Sequence, residues 1–485
     1  MIRFFPTAAL LALALAAAGC TVNPATGEQS FTGFMSEADE ARIGRETHPK
    51  ILEEFGGAYD DPAIARYVAS IGGFLASTAE QPNQGFTFTV IDSPIVNAFA
   101  LPGGYVYVTR GLVALADNEA ELAGVMAHEI GHVAARHSAQ RYSQAVLAQI
   151  GLVGLGLATG SGALVDLAGA GAAVYLQSYS RDQEFEADTL GVRYLSRATY
   201  DTRAMSSFLE RMQASSRLDA ELAGRPGAAD AYDIMSTHPR TADRVERAIL
   251  AAGAAPVADP LVARDIYLDK IDGMLFGDDP DEGFVRGRSF LHPTQRFAFE
   301  VPPGFRLHNS ATRVVARGPD DAAIIFDAAP NRSRAGMIGY LRDEWGRNAA
   351  LDEVAGLDIN GLEAATGRTR AQTDRGPLDL RLVVIRFDAD TIFRFIFATP
   401  PALTERLSTD LRRTTYSFRR LSADEAAGLR PQRLRVVTVR PGDTVATLGQ
   451  RMPFEDYREE RFRVLNGLGS NDRLVPGQRV KIVVE

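Results

Sequence analysis

Beyond position 20 the chain has no cysteine at all, since its 1 cysteine is Cys20. A fold built from this sequence therefore has no disulfides to lean on. An excess of positive charge is missing too. With 61 acidic and 52 basic residues the net charge is −9, and the scattered basic residues leave no footprint for a nucleic-acid partner. The apolar run Leu10–Ala18 is too short to stay in a bilayer as a permanent helix. What is present is ordinary for a globular protein: 46% hydrophobic and 23% charged residues, enough for sizeable cores. A length of 485 residues suggests about three domains.

The N-terminus carries Arg3, the short apolar run and then Gly19 before Cys20, the layout of a secretory signal over residues 1–19. Ala17-Ala18-Gly19-Cys20 resembles a bacterial lipobox, with Ala17 where leucine is commoner. That resemblance implies a diacylated Cys20 at the mature N-terminus. Thr21 follows it where an aspartate would signal inner-membrane retention, which favours the periplasmic face of the outer membrane. The alternative is a plain signal peptide with an incidental cysteine.

Texture divides the remainder. Residues 20–36 are polar and read as a lipidated tether, and residues 37–283 read as a mainly helical domain with a small β-sheet. Phe86 to Val90 and Gly104 to Val108 alternate as strands do, with Pro102-Gly103-Gly104 as the turn between them. A helix is expected from Glu119 through Gln140. Residues 145–176 are rich in Gly and Ala and almost uncharged. They suit a buried or amphipathic flap beside that helix better than a membrane hairpin, because glycines break the run. Residues 284–430 read as an α+β domain of unknown role, with strands at Phe297–Val301, Ala323–Phe326 and Leu380–Phe387 and a helix over Ala335–Asn348. Residues 434–485 place two short strands, each beside a Pro-Gly turn, around a helical centre. This looks like a small βααβ LysM module, similar to those that bind peptidoglycan. The alternative is such a fold kept for packing or protein contact.

His128-Glu129-Ile130-Gly131-His132 carries the chemistry. Residues four apart on a helix share a face, so both imidazoles can point at one ion. Catalytic Zn²⁺ takes three protein ligands and keeps one position open. Glu129 can serve as the base that takes a proton from the attacking water. The chain has 7 histidines, so a chance match is rare. The third ligand is not a histidine three turns on, because Ala135 and Ser138 stand where glycine and histidine would be needed. His137 is one position early and reads as a solvated or capping residue off the ligand face. Asp166 stands alone in the apolar run. Downstream, Glu184 and Asp188 lie one helical turn apart, so that Glu184 could bind the metal while Asp188 accepts the outer N–H of a ligand histidine. Glu186 reads as turned to solvent.

Glu121 through His132, with Glu184 and Asp188, resembles family 48 of the metallopeptidases, gluzincins that include membrane proteases, prenyl endopeptidases and periplasmic lipoproteins. Asn23-Pro24-Ala25-Thr26-Gly27 looks like the start of the secreted bacterial members. Asn97-Ala98-Phe99-Ala100, leading to Leu101 and Gly104, looks like the family's substrate-side strand. Ser236-Thr237-His238-Pro239, with Arg244, looks like its late H-P-x-x-x-x-R element. The match covers about residues 21–285. It implies a multidomain chain: a mainly α gluzincin domain with a small sheet, then the α+β and LysM-like modules. It also implies one Zn²⁺ per chain on His128, His132 and Glu184, and a catalytic set of Glu129, His238 and Arg244, the last two stabilising the developing oxyanion. His238 could instead occupy the open metal position and keep the enzyme latent.

These readings lead to an envelope metalloendopeptidase acting on misfolded or stalled proteins, held at the membrane by its lipid anchor and at peptidoglycan by the LysM-like module. The competing expectations are a cell-wall-binding scaffold or chaperone with little proteolysis, and a hydrolase of peptidoglycan cross-link peptides.

Overall fold

The computed structural model describes residues 20–23, 25–81, 84–146, 178–222, 238, 242–254, 256–332, 335–373 and 376–485. The expected signal segment and nearly all of the Gly/Ala-rich run lie outside these residues. Among the described residues, no helix is long and apolar enough to cross a membrane. The chain forms two compact units, one of the N-terminal part, Gly57–Phe276 and Arg433–Val484, the other built on Gly277–Gln432.

In the first unit, β1 (Cys20–Val22) and β2 (Gln29–Phe31) pair antiparallel. Helices α1 (Glu37–Glu54) and α2 (Pro62–Thr78) follow. The Asp61 side chain accepts from the Ala63 and Ile64 N–H groups and so caps α2. Strands β3 (Thr87–Ile91), β4 (Ala98–Leu101) and β5 (Tyr105–Thr109) make a sheet of order β3-β5-β4. The Pro102-Gly103-Gly104 turn therefore joins β4 to β5, while β3 runs parallel to β5. The expected direct turn between the two alternating segments is corrected by β4, whose residues are all buried and lack any alternation. Gly104 holds φ at 87°, and a Cβ there would lie 2.2 Å from the Gly85 carbonyl oxygen, so this turn accepts no side chain.

After α3 (Arg110–Leu115) comes α4 (Glu119–Ala134), buried on nearly every side. It stops six residues short of Gln140. Arg136 takes φ of 56° and a new helical segment begins at His137. Helices α5 (Arg181–Arg197), α6 (Ala204–Leu222), α7 (Ala242–Ala254) and α8 (Arg264–Ile271) complete the helical part. The C-terminal segment contributes β18 (Gln432–Thr438), α10 (Val445–Gly449), α11 (Arg458–Asn466) and β19 (Arg479–Val484), the expected β-α-α-β order. β18 and β19 pair antiparallel, and β6 (Leu275–Phe276) adds a third strand beside β18. Leu434, Leu448, Phe462 and Ile482 belong to the same apolar core as Leu122, Tyr194 and Tyr267.

The second unit is antiparallel. Seven strands, β10 (Arg306–Ser310), β11 (Arg313–Arg317), β12 (Ala323–Pro330), β13 (Asp352–Ile359), β14 (Leu362–Thr373), β15 (Gly376–Arg386) and β16 (Thr391–Thr399), run in the order β10-β11-β12-β16-β15-β14-β13. A four-stranded sheet of order β17-β9-β8-β7 is built from β7 (Phe284–Arg286), β8 (Ser289–His292), β9 (Phe297–Glu300) and β17 (Arg419–Arg420), and helix α9 is Pro401–Ser417. Phe297, Phe299, Phe326, Phe393, Phe395 and Phe418 fill the core of this unit. The alternation of Phe297 and Phe299 made β9 readable, whereas β16, which carries Phe393 and Phe395, was not among the expected strands.

Candidate metal centre

Asn118 accepts a hydrogen bond from the Glu121 N–H at 2.9 Å and starts α4. Three turns on, His128 and His132 present one face to α5. That helix begins with Ser180 and Gln183 exchanging side-chain-to-backbone hydrogen bonds, which sets Glu184 and Asp188 one turn apart opposite the histidines. The two helices approach closely at glycines. A Cβ on Gly131 would stand 3.0 Å from the Ala187 carbonyl oxygen, and one on Gly191 would stand 3.2 Å from the His128 backbone nitrogen.

One ligand atom each from His128, His132, Glu184 and His238 falls within 4.8 Å of the other three, all four residues being buried. His132 Nε2 is 3.0 Å from His128 Nε2, and His238 Nδ1 is 3.3 Å from that same atom. Glu184 Oε1 is 2.9 Å from His238 Nδ1 and 3.5 Å from His132 Nε2. Donors held about 2.0–2.1 Å from a tetrahedral zinc are spaced about 3.3–3.4 Å apart. The donor types and spacings therefore fit zinc, with His238 as the fourth donor. Beside them, neither carboxylate oxygen of the fully buried Glu129 makes a hydrogen bond, and His238 Nε2 stands 3.5 Å from Oε1.

Carboxylates and a guanidinium brace this cluster. Asp188 Oδ1 lies 2.9 Å from His128 Nδ1. Arg244 donates to both oxygens of Asp188 at 2.8 Å, and its Nη1 is 2.5 Å from Glu184 Oε2. Arg244 is thus engaged by two carboxylates beside the ligand cluster. Burial would raise the Asp188 and Glu184 carboxyls. The Arg244 and His128 hydrogen bonds hold Asp188 below the usual range, and His238 and His132 hold Glu184 well below it. Burial pushes the Glu129 carboxyl up, against the pull of His238 and His128. Burial also drives His132 well below the usual imidazole range, towards the neutral form that metals bind. For His238, burial acts downward but Glu184 and Glu129 outweigh it, and the net shift is up.

Two expectations are corrected. His137 is fully buried, and its Nδ1 lies 2.8 Å from Nδ1 of His132. Glu186 meets His137 Nε2 at 3.0 Å. The left-handed Arg136 redirects the chain, so helical extrapolation from His132 fails at His137. Sequence reading also missed Tyr179, whose ring stacks on His132 with centroids 3.8 Å apart, beneath the Arg141 guanidinium. Only the aromatic before the Ser180 cap could have signalled it. Asn23 donates to the Ala135 carbonyl at 2.8 Å, so the segment read as a tether is tied to the end of α4. Cys20 opens β1. Ala98, Phe99 and Ala100 lie in β4, one of the two edge strands of its sheet, next to the buried Asn97.

Residues 62–250 match the family described as Peptidase family M48, and residues 437–483 match the LysM domain. The beta-barrel assembly-enhancing protease of Escherichia coli is 34% identical over 223 residues, 44% of this chain and 43% of that one. Its namesake from Yersinia pestis is 35% identical over 166 residues, 32% of this chain and 34% of that one. The mitochondrial metalloendopeptidase OMA1 of Schizosaccharomyces pombe is 30% identical over 219 residues, 43% of this chain and 59% of that one. This chain spans about half the length of the curated relatives it matches. His128, His132, Glu184 and His238 thus all lie inside residues 62–250, the segment similar to peptidase family M48, while the C-terminal βααβ segment is similar to LysM domains.

Proposed function

We propose that the chain is a zinc-dependent metalloendopeptidase of the bacterial cell envelope that cleaves misfolded or stalled proteins. The observation that carries this reading is Glu129, a buried carboxylate without hydrogen bonds, set beside four converging ligand atoms. Buried polar atoms are rarely left so without a functional reason. The names of the relatives, an assembly-enhancing protease and a metalloendopeptidase, support the same class.

His128, His132 and Glu184 would hold the ion, and zinc bound there supplies Lewis acidity that polarises a peptide carbonyl and acidifies water towards a pKa of about 7. Glu129 accepts the proton of the attacking water and returns it to the leaving amine. Its raised affinity for protons suits the second transfer. Asp188 keeps the outer N–H of His128 engaged, while Arg244 positions Glu184 and Asp188. β4 offers its outer edge to an extended substrate, with Asn97 to Ala100 lying along it. His238 would serve as a fourth donor in the resting enzyme and, when not engaged there, its imidazole would be placed to stabilise the developing oxyanion.

Residues 1–19 direct export and a lipid on Cys20 anchors the chain at the periplasmic face of the outer membrane. The LysM domain supports contact with peptidoglycan, and with it the second reading, hydrolysis of peptidoglycan peptides. One assay tests both. Wild type and Glu129→Gln are compared on an unfolded protein and on purified peptidoglycan, with zinc measured in each. The amide should retain one zinc per chain and lose about 10²–10⁴-fold in cleavage of the unfolded protein. Loss confined to peptidoglycan would select the second reading, and equal activity of the two proteins would remove Glu129 as the base.

A further inference from the structure

We propose that His137 is a positioning residue which, with Glu186, fixes the nitrogen that His132 offers to the metal. This rests on the metal-centre reading above. The Nδ1 atoms of His132 and His137 face each other at 2.8 Å, a separation that requires one proton between them. On its other side His137 presents Nε2 to Glu186 Oε2 at 3.0 Å. A carboxylate only accepts, so the His137 proton belongs on Nε2 and its Nδ1 is bare. That bare nitrogen accepts from His132, which must then carry its own proton on Nδ1. His132 Nε2 is left bare, and it is the atom that points to His128 and Glu184. The reverse arrangement would set the bare Nε2 of His137 against the carboxylate and place a proton on His132 Nε2, inside the ligand cluster.

Each ligand histidine of α4 is thereby held through its outer nitrogen by a carboxylate of α5. Asp188 reaches His128 directly, and Glu186 reaches His132 through His137. The relay to His132 is the longer of the two. Its geometry depends on Arg136. The left-handed turn there, with φ of 56°, brings His137 back under His132. Arg136 is secured by Glu40 at 3.0 Å and by the Met35 carbonyl at 2.9 Å. A non-glycine residue rarely adopts this conformation, and the two contacts hold Arg136 in it.

The test uses the full chain and reads zinc affinity by competition with a chelating dye, together with the melting temperature of the zinc-free protein. His137→Leu fills the space but accepts no hydrogen bond. His137→Asn is smaller, yet its Oδ1 can take the place of Nδ1. A positioning role predicts a loss of about 10–100-fold in zinc affinity for His137→Leu and Glu186→Ala, and recovery of most of it in His137→Asn. A packing role predicts the opposite order, with leucine outperforming asparagine. The proposal is overturned if His137→Leu binds zinc as tightly as wild type, or if asparagine loses as much as leucine. Glu186 is partly exposed, so its alanine variant tests the relay even where a His137 variant fails to fold. A wild-type chain that takes up no zinc would overturn the metal-centre reading itself, a result separable from every variant comparison.

Discussion

At His238 two demands meet on one imidazole. Its Nδ1 lies among the ligand atoms, 2.9 Å from Glu184 and 3.3 Å from His128, while its Nε2 faces Glu129 at 3.5 Å. A fourth neutral donor completes a tetrahedral zinc shell and leaves no position for water. His238→Ala should therefore weaken zinc binding, since a donor is lost, yet raise cleavage per bound zinc several-fold on an unfolded protein. A fall in cleavage with zinc binding unchanged would instead make His238 chiefly a stabiliser of the transition state. Of this site, the pair four apart with its adjacent glutamate was legible because helical geometry alone brings it together. Glu184 and Asp188 were legible for the same reason on a second helix. His137 was not. Its placement depends on one backbone angle at Arg136, a conformation that arginine does not advertise. Tyr179 escaped for a related reason, since stacking across helices leaves no periodic trace.

Between elements, the site depends on how closely α4 and α5 cross. Gly191 faces the His128 backbone, and an added Cβ would meet the Met205 side chain at 2.7 Å and His128 N at 3.2 Å. The methionine end can move, but the helix backbone bearing the ligand cannot move far. Gly191→Ala should cost about 1–3 kcal/mol through overpacking. Because α5 carries Glu184, the displaced helix should also hold zinc less tightly. Thermal melting with and without zinc checks both effects, and the gap between the two melting temperatures should narrow. Composition does not expose such glycines, because a helical glycine looks the same whether it faces solvent or another backbone. The small sheet was half legible on similar grounds. β3 and β5 alternate and were read as strands. β4 is buried throughout, so its pattern carries no period of two, and strand order could not follow from alternation alone.

Within the first unit, the LysM segment is built into the same core as the metal-bearing helices. Lys481 on β19 is fully buried, and its Nζ donates to the carbonyls of Ala114, Leu115 and Ala116 at 2.8, 3.1 and 2.7 Å. Those are the last carbonyls of α3, which have no partner inside their own helix, and α4 begins three residues later. The βααβ pattern was readable from its Pro-Gly turns. That one lysine of it would satisfy a helix end some 365 positions earlier could not be, because lysine is the residue usually assigned to solvent. Burial pulls its ammonium down to about 7, with Asp117 and Glu121 acting upward and Arg211 and Arg264 downward. Between about pH 7 and the ordinary value of 10.5, the unfolded chain holds a proton that the folded chain has released. Stability from this group therefore rises with pH across that window, by up to about 1.4 kcal/mol per unit, and is level below it. Lys481→Met should remove that slope. It should also lower stability at pH 7, because each carbonyl left without a donor costs about 1–3 kcal/mol. Denaturant unfolding of both proteins at pH 7, 8 and 9 provides the check. A slope unchanged by the substitution would mean that Lys481 keeps its proton throughout, held by the three carbonyls that only an ammonium can fully serve.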